Sequence, residues 1–457
     1  MTESGYNRYL LTVLLVILAF NTVDRVALGV VLQDIKQDLA LSDTQLGFMS
    51  GIAFTFFYAV MGIPIARWAD RGNRATIITV TTALWSTAVA LCGAAVSFMQ
   101  LLLIRVGVAV GEAGCVPPAH SLIADYFGRE ERPRAVARYM LGIPLGLAIG
   151  FFSAGWLNEL YGWRATFVIL GLPGLALAML ARFTLKEPRQ IRATAVTVSI
   201  VGTFVGAVPS SEPSFKEVCT TLWEKAAFRH LLICYSVWYF FGYGILQWQP
   251  AFFIRSHHLA TGEIGIWFAV IYGLGSGLGT YLGGEWAAHY AAGNERLQLK
   301  ACALGFAVYA LLYVGAFLAP THYVAIAALA LGNLGGSMAL GPILATIQTL
   351  VPARMRASSI ALVYLFANLI GMGLGPLATG ALSDVLRPLF GQESLRYALV
   401  MLSPGYLWAA WHLWSASQAV ARDVIAKQDD VGNGADSTAG LVSASPRCPG
   451  AALKPRP

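Results

Sequence analysis

Charged residues are scarce in this sequence: Asp, Glu, Lys and Arg make up only 12% of its 457 residues. Soluble proteins carry about 25%, so the composition excludes a water-soluble domain. Hydrophobic residues reach 57%, which predicts an all-α polytopic membrane protein surrounded by the lipid bilayer. A net charge of +7 would suggest nucleic-acid binding in a soluble chain. Here we expect no nucleic-acid partner, because excess positive charge in a membrane protein belongs in its cytoplasmic loops.

Signatures of catalysis and of metal binding are missing as well. The six cysteines are scattered through the chain, and none of them has the spacing of a metal site or a disulfide framework. The sequence contains no Walker loop, no GxSxG elbow and no HExxH helix. We therefore expect neither an enzyme nor a bound cofactor or metal. Because the sequence has no ATPase motif, any active transport by this protein should be driven by an ion gradient.

What the sequence has in abundance is long apolar stretches. A helix needs about 20 mostly apolar residues to cross a bilayer, and twelve stretches meet that requirement. They lie at 9–32, 44–66, 75–96, 99–125, 136–158, 165–185, 229–254, 264–288, 298–318, 322–350, 357–382 and 396–420. A long loop separates the first six from the last six, so the sequence predicts twelve transmembrane helices in two six-helix bundles.

The domain boundaries follow from this division. We predict a first bundle at 1–186, a central cytoplasmic loop at 187–228 and a second bundle at 229–422. The remaining segment, 423–457, ends in a stretch of small and polar residues rich in proline and glycine. This composition cannot bury enough apolar surface to offset the entropy lost on ordering, so we predict a disordered cytoplasmic tail.

The placement of lysine and arginine predicts the orientation and decides one ambiguous stretch. With twelve spans, 24 of the 31 Lys and Arg residues fall on the side of the two termini and 5 on the opposite side. This bias predicts that both termini are cytoplasmic. A thirteenth span at 193–208 would place the basic loops of the second half outside. We therefore interpret that short apolar stretch as part of the central loop.

Four ionisable residues lie inside predicted spans, where a charge costs roughly 2.5–3.5 kcal/mol at the bilayer centre. Arg105 and Glu112 are seven residues apart in the fourth span and share one helix face, and Asp24 and Arg25 repeat the pattern in the first span. Because intramembrane charges mark polar pathways, we predict that Asp24 and Glu112 couple transport to protons. Arg25 and Arg105 would bind substrate or form ion pairs. The alternative is an ion-pair network that only holds helices together.

Polar aromatic residues recur in the second half of the chain. Tyr235, Tyr239 and Tyr243 are spaced by four in span 7 and so share a face of that helix. This stripe is a candidate for contact with an amphipathic substrate, and the alternative is an aromatic belt at the membrane interface. Asn333 in span 10 and Asn368 in span 11 are further polar candidates for the substrate site.

The loop between spans 2 and 3 carries a charged motif, IPIARWADRGNRATII. It resembles the loop signature of the major facilitator superfamily, which Asp70, Arg71 and Arg74 match, although one glycine of the signature is replaced. A carboxylate at a helix end can pair with arginines, so we expect Asp70, Arg71 and Arg74 to form a cytoplasmic gate. The alternative is that they only set the topology. The corresponding loop of the second half has Ala288 and His289 in place of an Asp-Arg pair.

This sequence also has the layout of that superfamily, with six spans, a basic loop and six more spans. Other segments resemble one family within it. Span 4 has an arginine, Arg105, that resembles the arginine of the superfamily's span-4 motif, and it continues as GEAGCVPPAHSLIADYF. The second half contains LVPARMRASSIALVYLFANLIGMGLGPLATGALSD. Together with Asp24, Arg25 and Glu112, these segments resemble the Spinster family, to which bacterial organic-anion symporters are near cousins.

The resemblance implies a secondary active transporter with the major facilitator fold. It implies proton coupling and an amphipathic, lipid-like substrate that is moved by alternating access. One alternative is a proton-coupled symporter of a small organic carboxylate, and a second is a receptor or scaffold on the same fold that transports nothing. The expected partners are a small-molecule substrate, protons and the lipid bilayer. We expect a monomer in the inner (plasma) membrane of a bacterium.

Overall fold

The structure is a computed structural model, and it describes residues 3–128, 131–188, 215–351 and 355–442. The described chain is helical throughout and has no strand. Ten of its helices are long and apolar enough to cross a membrane. The interpretation of 193–208 as part of the central loop lies outside the described residues.

Two of the ten helices are too long to cross only once. Residues 134–184 form one apolar helical run and residues 358–423 another, which at 1.5 Å per residue measure about 75 and 100 Å, against a hydrocarbon core of about 30 Å. Gly162 interrupts the first with a φ of +76°, and Gly391 interrupts the second with a φ of +54°. Side chains with a Cβ rarely adopt these angles, so glycine allows both reversals. The ten helices therefore make twelve crossings.

We call these crossings spans 1 to 12. Spans 1, 3, 7 and 9 are single helices: Glu3–Asp38, Arg74–Cys92, Ala226–His257 and Glu295–Leu318. Span 4 consists of Phe98–Glu112 and Val116–Tyr126, and span 10 of His322–Met338 and Leu340–Thr349. Span 5 runs from Arg132–Met140 into the helix Gly142–Thr184, which bends at Gly162 into span 6. Span 12 consists of Ser394–Leu402 and Gly405–Val442, and a separate helix, Phe215–Glu224, precedes span 7.

Spans 2, 8 and 11 each contain a wider π-helical turn. Span 2 is Asp43–Phe48, Met49–Ala53 and Phe54–Arg71; span 8 is Thr261–Phe268, Ala269–Gly275 and Ser276–Tyr290; span 11 is Arg356–Phe366, Ala367–Met372 and Gly373–Phe390. In each span the middle segment is the π-helix. Such turns are rare and occur frequently at functional sites, because they break the regular hydrogen-bond ladder.

The spans form an all-α fold of two six-helix bundles, spans 1–6 and spans 7–12, as the sequence predicts. We call the membrane face on which span 1 begins the terminal face, and the opposite face the distal face. The bundles meet closely toward the distal face. A Cβ on Gly47 in span 2 would lie 2.4 Å from the Pro376 carbonyl oxygen in span 11, and a Cβ on Gly155 in span 5 would lie 2.9 Å from the Gly265 Cα in span 8. Only glycine permits these approaches.

The tail differs in part from its expectation. Span 12 continues as helix to Val442, although the composition of 423–457 predicts disorder. Once a helix is nucleated, each added residue gains a hydrogen bond at little cost, so the last span propagates beyond the membrane-spanning length. Residues 443–457 lie outside the described chain.

Candidate functional site

The four intramembrane charges of the first bundle lie together. Span 1 contributes Asp24 and Arg25, and span 4 contributes Arg105 and Glu112. Arg25 donates from Nε to Glu112 Oε2 at 2.6 Å. Glu112 is completely buried, whereas 28% of the Arg25 side chain is exposed. The helical part of span 4 ends at Glu112 and resumes at Val116, so the carboxylate sits at a break in its helix.

Arg105 has no such partner. Only 3% of the residue is exposed, yet its Nε and Nη1 atoms have no hydrogen-bond partner among the described residues. The guanidinium lies 5.2 Å from the centre of the Phe54 ring, and the Arg25 guanidinium lies 5.6 Å from the same ring. A cation over an aromatic face is partly stabilised. The unmet hydrogen-bonding capacity of Arg105 nevertheless remains, and an anionic ligand would satisfy it.

Asp24 is the second polar group whose bonding is incomplete. It is 3% exposed, and its Oδ1 atom has no hydrogen-bond partner in the described chain. The Trp85 indole lies beside it. A buried polar atom without a partner typically costs about 1–3 kcal/mol, so this cluster retains polar groups at a cost in stability. Such a cost is typical of a site built for a ligand or for proton transfer.

The two arginines line a small cavity of about 60 Å³ near the middle of the protein. Its other walls come from both bundles. The first bundle contributes Phe54 in span 2, and the second contributes Tyr243 and Gln247 in span 7. The volume is enough for one or a few water molecules. Both bundles therefore face the charged cluster, which is the arrangement that alternating access requires of a central site.

A much larger cavity of about 710 Å³ lies on the terminal-face side of this point. Its walls belong mainly to the second bundle, and eight of its 24 lining residues are aromatic. They include Trp238, Tyr239, Tyr243, Tyr272, Tyr281, Tyr309, Tyr313 and Tyr364. The short helix before Gly142 and the first turns after it form the wall contributed by the first bundle. We call this the aromatic chamber; Tyr243 and Leu246 line both it and the small charged cavity.

The three tyrosines of the predicted stripe in span 7 lie at different distances from the chamber. Tyr239 and Tyr243 line the chamber, whereas Tyr235 is completely buried behind them. The Tyr235 ring stacks on Tyr239 with 4.8 Å between centroids. Tyr235 therefore supports a chamber wall and does not reach the chamber itself.

The two predicted asparagines are placed differently. Asn333 lines the chamber, and its Nδ2 donates to the Ile271 carbonyl at 2.8 Å and to Ser276 Oγ at 2.9 Å. Ile271 belongs to the π-helical turn of span 8, so Asn333 stabilises that wider turn from span 10. Asn368 lies in the π-helical turn of span 11 and is half-buried, and it is not among the residues that line either cavity.

Sequence reasoning did not identify several chamber residues, among them Gln249, Tyr272 and Tyr313. Tyr272 donates to Gln249 Oε1 and lies 3.4 Å from the Tyr313 hydroxyl. These three residues come from spans 7, 8 and 9. The only signal in the sequence was the four-residue spacing of Tyr309 and Tyr313 in span 9, because contacts between different spans leave no local pattern.

The predicted gate residues occupy the terminal face. Arg74 is completely buried and forms an ion pair with Asp125 in span 4 at 2.7 Å and another with Glu187, which follows span 6. All three residues lie in the first half of the chain. Arg71 is exposed, and the side chain of Asp70 is outside the described part of the structure. In this conformation Arg74 therefore connects spans of one bundle and does not bridge the two bundles.

An ion-pair cluster that sequence reasoning missed closes the distal face. Asp43, at the start of span 2, is 1% exposed and accepts two hydrogen bonds of 2.8 Å from Arg255 at the end of span 7. Lys36 donates to the same carboxylate at 2.6 Å, and Ser383 of span 11 donates at 2.7 Å. The cluster joins the two bundles. Because Asp43 directly follows a capping serine, its sequence suggested only an ordinary helix start.

The central site has no metal-binding group among the described residues and is closed on one side. Among the described residues, no group of three or more His, Cys, Asp and Glu side chains could hold a metal ion. The distal face is joined by bonds between the bundles, and the chamber lies toward the terminal face. The structure therefore has the geometry of a carrier that is closed on one side of its central site and accessible from the other.

Comparison with known proteins agrees with this geometry. The Major Facilitator Superfamily model matches residues 14–376. An MFS-type efflux pump of Mycolicibacterium smegmatis is 34% identical over 416 residues, covering 90% of this chain and 93% of that protein. A D-galactonate transporter of Escherichia coli is 25% identical over 320 residues, covering 67% of this chain and 71% of that protein.

A solved structure is also similar over nearly the whole chain. It is the crystal structure of a bacterial homolog to the human lysosomal transporter Spinster, in an inward-facing and unoccupied conformation. The TM-score is 0.80 at 29% identity, and the similarity covers 92% of this chain and 98% of that one. The family, the fold and the joined cavities identify an integral membrane transporter rather than an enzyme. The chain belongs to the Major Facilitator Superfamily and resembles its Spinster-like members.

Proposed function

We propose that this protein is a proton-coupled secondary active transporter of an amphipathic, lipid-like small molecule. The observation that carries the proposal is the pair of joined cavities. The aromatic chamber of about 710 Å³ suits an apolar chain, and it meets a charged cavity that contains Arg25 and Arg105. An amphiphile with an anionic head and an apolar body matches both parts at once.

Proton coupling is supported by the environment of the two buried carboxyl groups. Burial favours a neutral carboxyl group, and a neighbouring arginine favours the ionised form. Glu112 is bonded to Arg25, and Asp24 lies in the same charged cluster. When the bundles rock and an anionic substrate competes for the arginines, this balance shifts. Glu112 and Asp24 would then take up and release protons in step with the transport cycle.

The moving units of this proposal are the two predicted bundles, residues 1–186 and 229–422. The terminal face is cytoplasmic, because 24 of the 31 Lys and Arg residues fall on that side. The protein would function as a monomer in the inner membrane of a bacterium, with the substrate, protons and the bilayer as partners. To open the other way, the Asp43–Arg255 cluster must separate.

The proposal is tested with purified protein in proteoliposomes that contain a pH-sensitive dye. A thermal-shift screen of lysophospholipids, long-chain amines and sugar acids would first identify ligands. We expect an anionic lysophospholipid, or a long-chain amine derivative that carries an anionic group, to stabilise the protein and to produce a proton flux that depends on its addition. A ligand-independent pH trace, with no uptake of any hit, would instead indicate a receptor or scaffold.

A second candidate, a proton-coupled symporter of a small organic anion, is favoured by one observation. Arg105 is buried, faces the charged cavity and has two donor atoms without partners. A carboxylate could accept a charge-assisted hydrogen bond from either of them. The similarity to a D-galactonate transporter points the same way. Stabilisation and proton flux with sugar acids, but not with amphiphiles, would select this candidate.

A further inference from the structure

A separate polar pocket lies at the terminal face, between the start of span 1 and the start of span 5. Its volume is about 410 Å³, and it is open to the surroundings of the protein. Its lining residues are Asn7, Arg8, Leu11, Phe127, Glu131, Arg134, Ala135 and Arg138. We call it the arginine pocket. The proposed transport cycle uses none of these residues.

Positive charge dominates the arginine pocket. Arg134 and Arg138 are one helical turn apart and therefore share a face, and Arg8 approaches from span 1. All three are exposed. Glu131 is the single acidic residue among those that line the pocket. Among the described residues none of the three arginines has an ion-pair partner. Three guanidinium groups around one pocket are typical of a site for phosphate or a similar anion.

Asn7 adds a second, different requirement. Its Nδ2 donates to the Tyr126 carbonyl oxygen at 3.3 Å, which fixes the orientation of the amide. The Oδ1 atom of the same amide is buried and has no partner in the described chain. An amide oxygen accepts hydrogen bonds and repels another anion. A ligand that satisfies the whole pocket therefore carries both an anionic group and a hydrogen-bond donor.

The floor of the pocket is apolar. Leu11 is 6% exposed and Ala135 is 3% exposed, and Phe127 is half-buried beside them. The pocket lies where two helices long enough to span a membrane begin, and lipid headgroups surround such helix ends in a bilayer. A small inorganic anion would leave this floor uncovered. A phospholipid would place its phosphate on the arginines and its glycerol backbone against the floor.

We propose that the arginine pocket binds the headgroup of an anionic phospholipid that carries a hydroxyl group, as phosphatidylglycerol does. The phosphodiester oxygens accept hydrogen bonds from Arg8, Arg134 and Arg138, and a headgroup hydroxyl donates to Asn7 Oδ1. The same short helix, Arg132–Met140, also contributes two residues to the wall of the aromatic chamber. A bound lipid thus holds this helix in place beside the transport cavity, whichever solute is carried.

The test measures binding of dihexanoyl phosphatidylglycerol to the full-length protein in detergent, by microscale thermophoresis. We expect the unmodified protein to bind this lipid saturably. Arg134→Gln and Arg138→Gln should each lower the affinity about five-fold. Arg422→Gln removes an exposed arginine of the same face in the other bundle, and it should bind like the unmodified protein. Thermal melting of each variant shows whether it is folded.

Three comparison probes separate the possible ligands. Dihexanoyl phosphatidylcholine should bind weakly, because its headgroup is zwitterionic. Dihexanoyl phosphatidylmethanol is anionic but has no hydroxyl group, so it should bind the unmodified protein more weakly than phosphatidylglycerol does. The Asn7→Leu variant should bind the two lipids with equal affinity. Inorganic phosphate should compete only at far higher concentration. Equal binding of all lipids, unchanged binding by Arg134→Gln and Arg138→Gln, or saturation by phosphate alone would each overturn the proposal.

Discussion

The two bundles contribute different chemistry to the same central site. The first bundle supplies four ionisable residues packed so tightly that the cavity beside them measures about 60 Å³. The second bundle supplies most of the walls of a chamber of about 710 Å³, among them seven tyrosines. Charges need partners at fixed distances and angles, whereas aromatic faces accept apolar groups of many shapes. We propose that coupling belongs to the first bundle and accommodation of the apolar part of the substrate to the second.

This division predicts that variants of the two bundles fail in different ways. Changes in the two carboxylates of the charged cluster should uncouple transport from the proton gradient. Changes in the aromatic chamber should weaken substrate binding and leave coupling intact. Changes at the distal face, where the bundles meet, should alter the balance between conformations.

Replacing Glu112 by Gln should have the largest effect. The amide can still accept the hydrogen bond from Arg25, but it cannot take up a proton, so proton-driven accumulation should fall to the level of empty liposomes. Asp24→Asn should act in the same way. Uptake against an imposed pH gradient measures this loss. Glu285→Gln, which changes an exposed carboxylate at a span end, is the matched control. Accumulation by both Glu112→Gln and Asp24→Asn would assign the carboxylates a structural role.

Arg105→Lys should reduce transport at least about ten-fold, although it keeps the charge. A lysine cannot reproduce the planar fork of the guanidinium, and the two unpartnered donor atoms of Arg105 are the ones that would bind an anion. Initial rates of uptake check the prediction. Arg182→Lys, at an exposed position, controls for the substitution itself. Rates near those of the unmodified protein would remove Arg105 from the substrate site.

Tyr239→Ala should raise the KM for an amphipathic substrate about ten-fold and leave proton coupling intact. Tyr239 lines the chamber and stacks on Tyr235, so its removal deletes apolar contact area from the wall. The dependence of uptake on substrate concentration measures this change. Tyr290→Ala, which alters a side chain that is 78% exposed, should change nothing. An unchanged KM in Tyr239→Ala would mean that substrate does not occupy the chamber.

Asp43→Asn should have the smallest effect, a shift of the conformational balance toward opening of the distal face. The carboxylate holds Arg255 through two hydrogen bonds of 2.8 Å, one to each oxygen, and an amide keeps only one of these acceptors because its nitrogen is a donor. The labelling rate of a cysteine introduced at Thr261, which is 9% exposed and contacts Gly155 of the other bundle, should rise two- to five-fold. Asp38→Asn is the control, because the Asp38–Arg164 ion pair at 2.7 Å lies within the first bundle alone. Equal rates in both variants would contradict a closing role for Asp43.

Much of the fold could be predicted from the sequence because it depends on local composition. Apolar length defines a span, and the two-bundle architecture and the family are shown by the structure and the comparisons. The four intramembrane charges were also identifiable, since each is costly in a membrane. Which of them pair was not, because seven-residue spacing relates Arg105 to Glu112 on one helix, while the structure bonds Glu112 to Arg25 of another span.

Features that depend on how the spans are arranged could not be predicted. The distal contact between Asp43 and Arg255 joins residues 212 positions apart, and nothing near either residue signals the other. Tyr235 shows the opposite difficulty. Its spacing matched Tyr239 and Tyr243, but helix packing places it behind the chamber wall. Local periodicity gives the face of a helix and not the depth at which each residue on that face lies.

The most direct test of the division between the bundles is the number of protons moved per substrate molecule. It is measured in the same proteoliposomes for the unmodified protein, Glu112→Gln and Tyr239→Ala, together with the binding affinity of each. We expect Glu112→Gln to bind substrate and move no coupled protons. Tyr239→Ala should bind more weakly and keep the original ratio. A changed ratio in Tyr239→Ala, or an unchanged ratio in Glu112→Gln, would contradict the account.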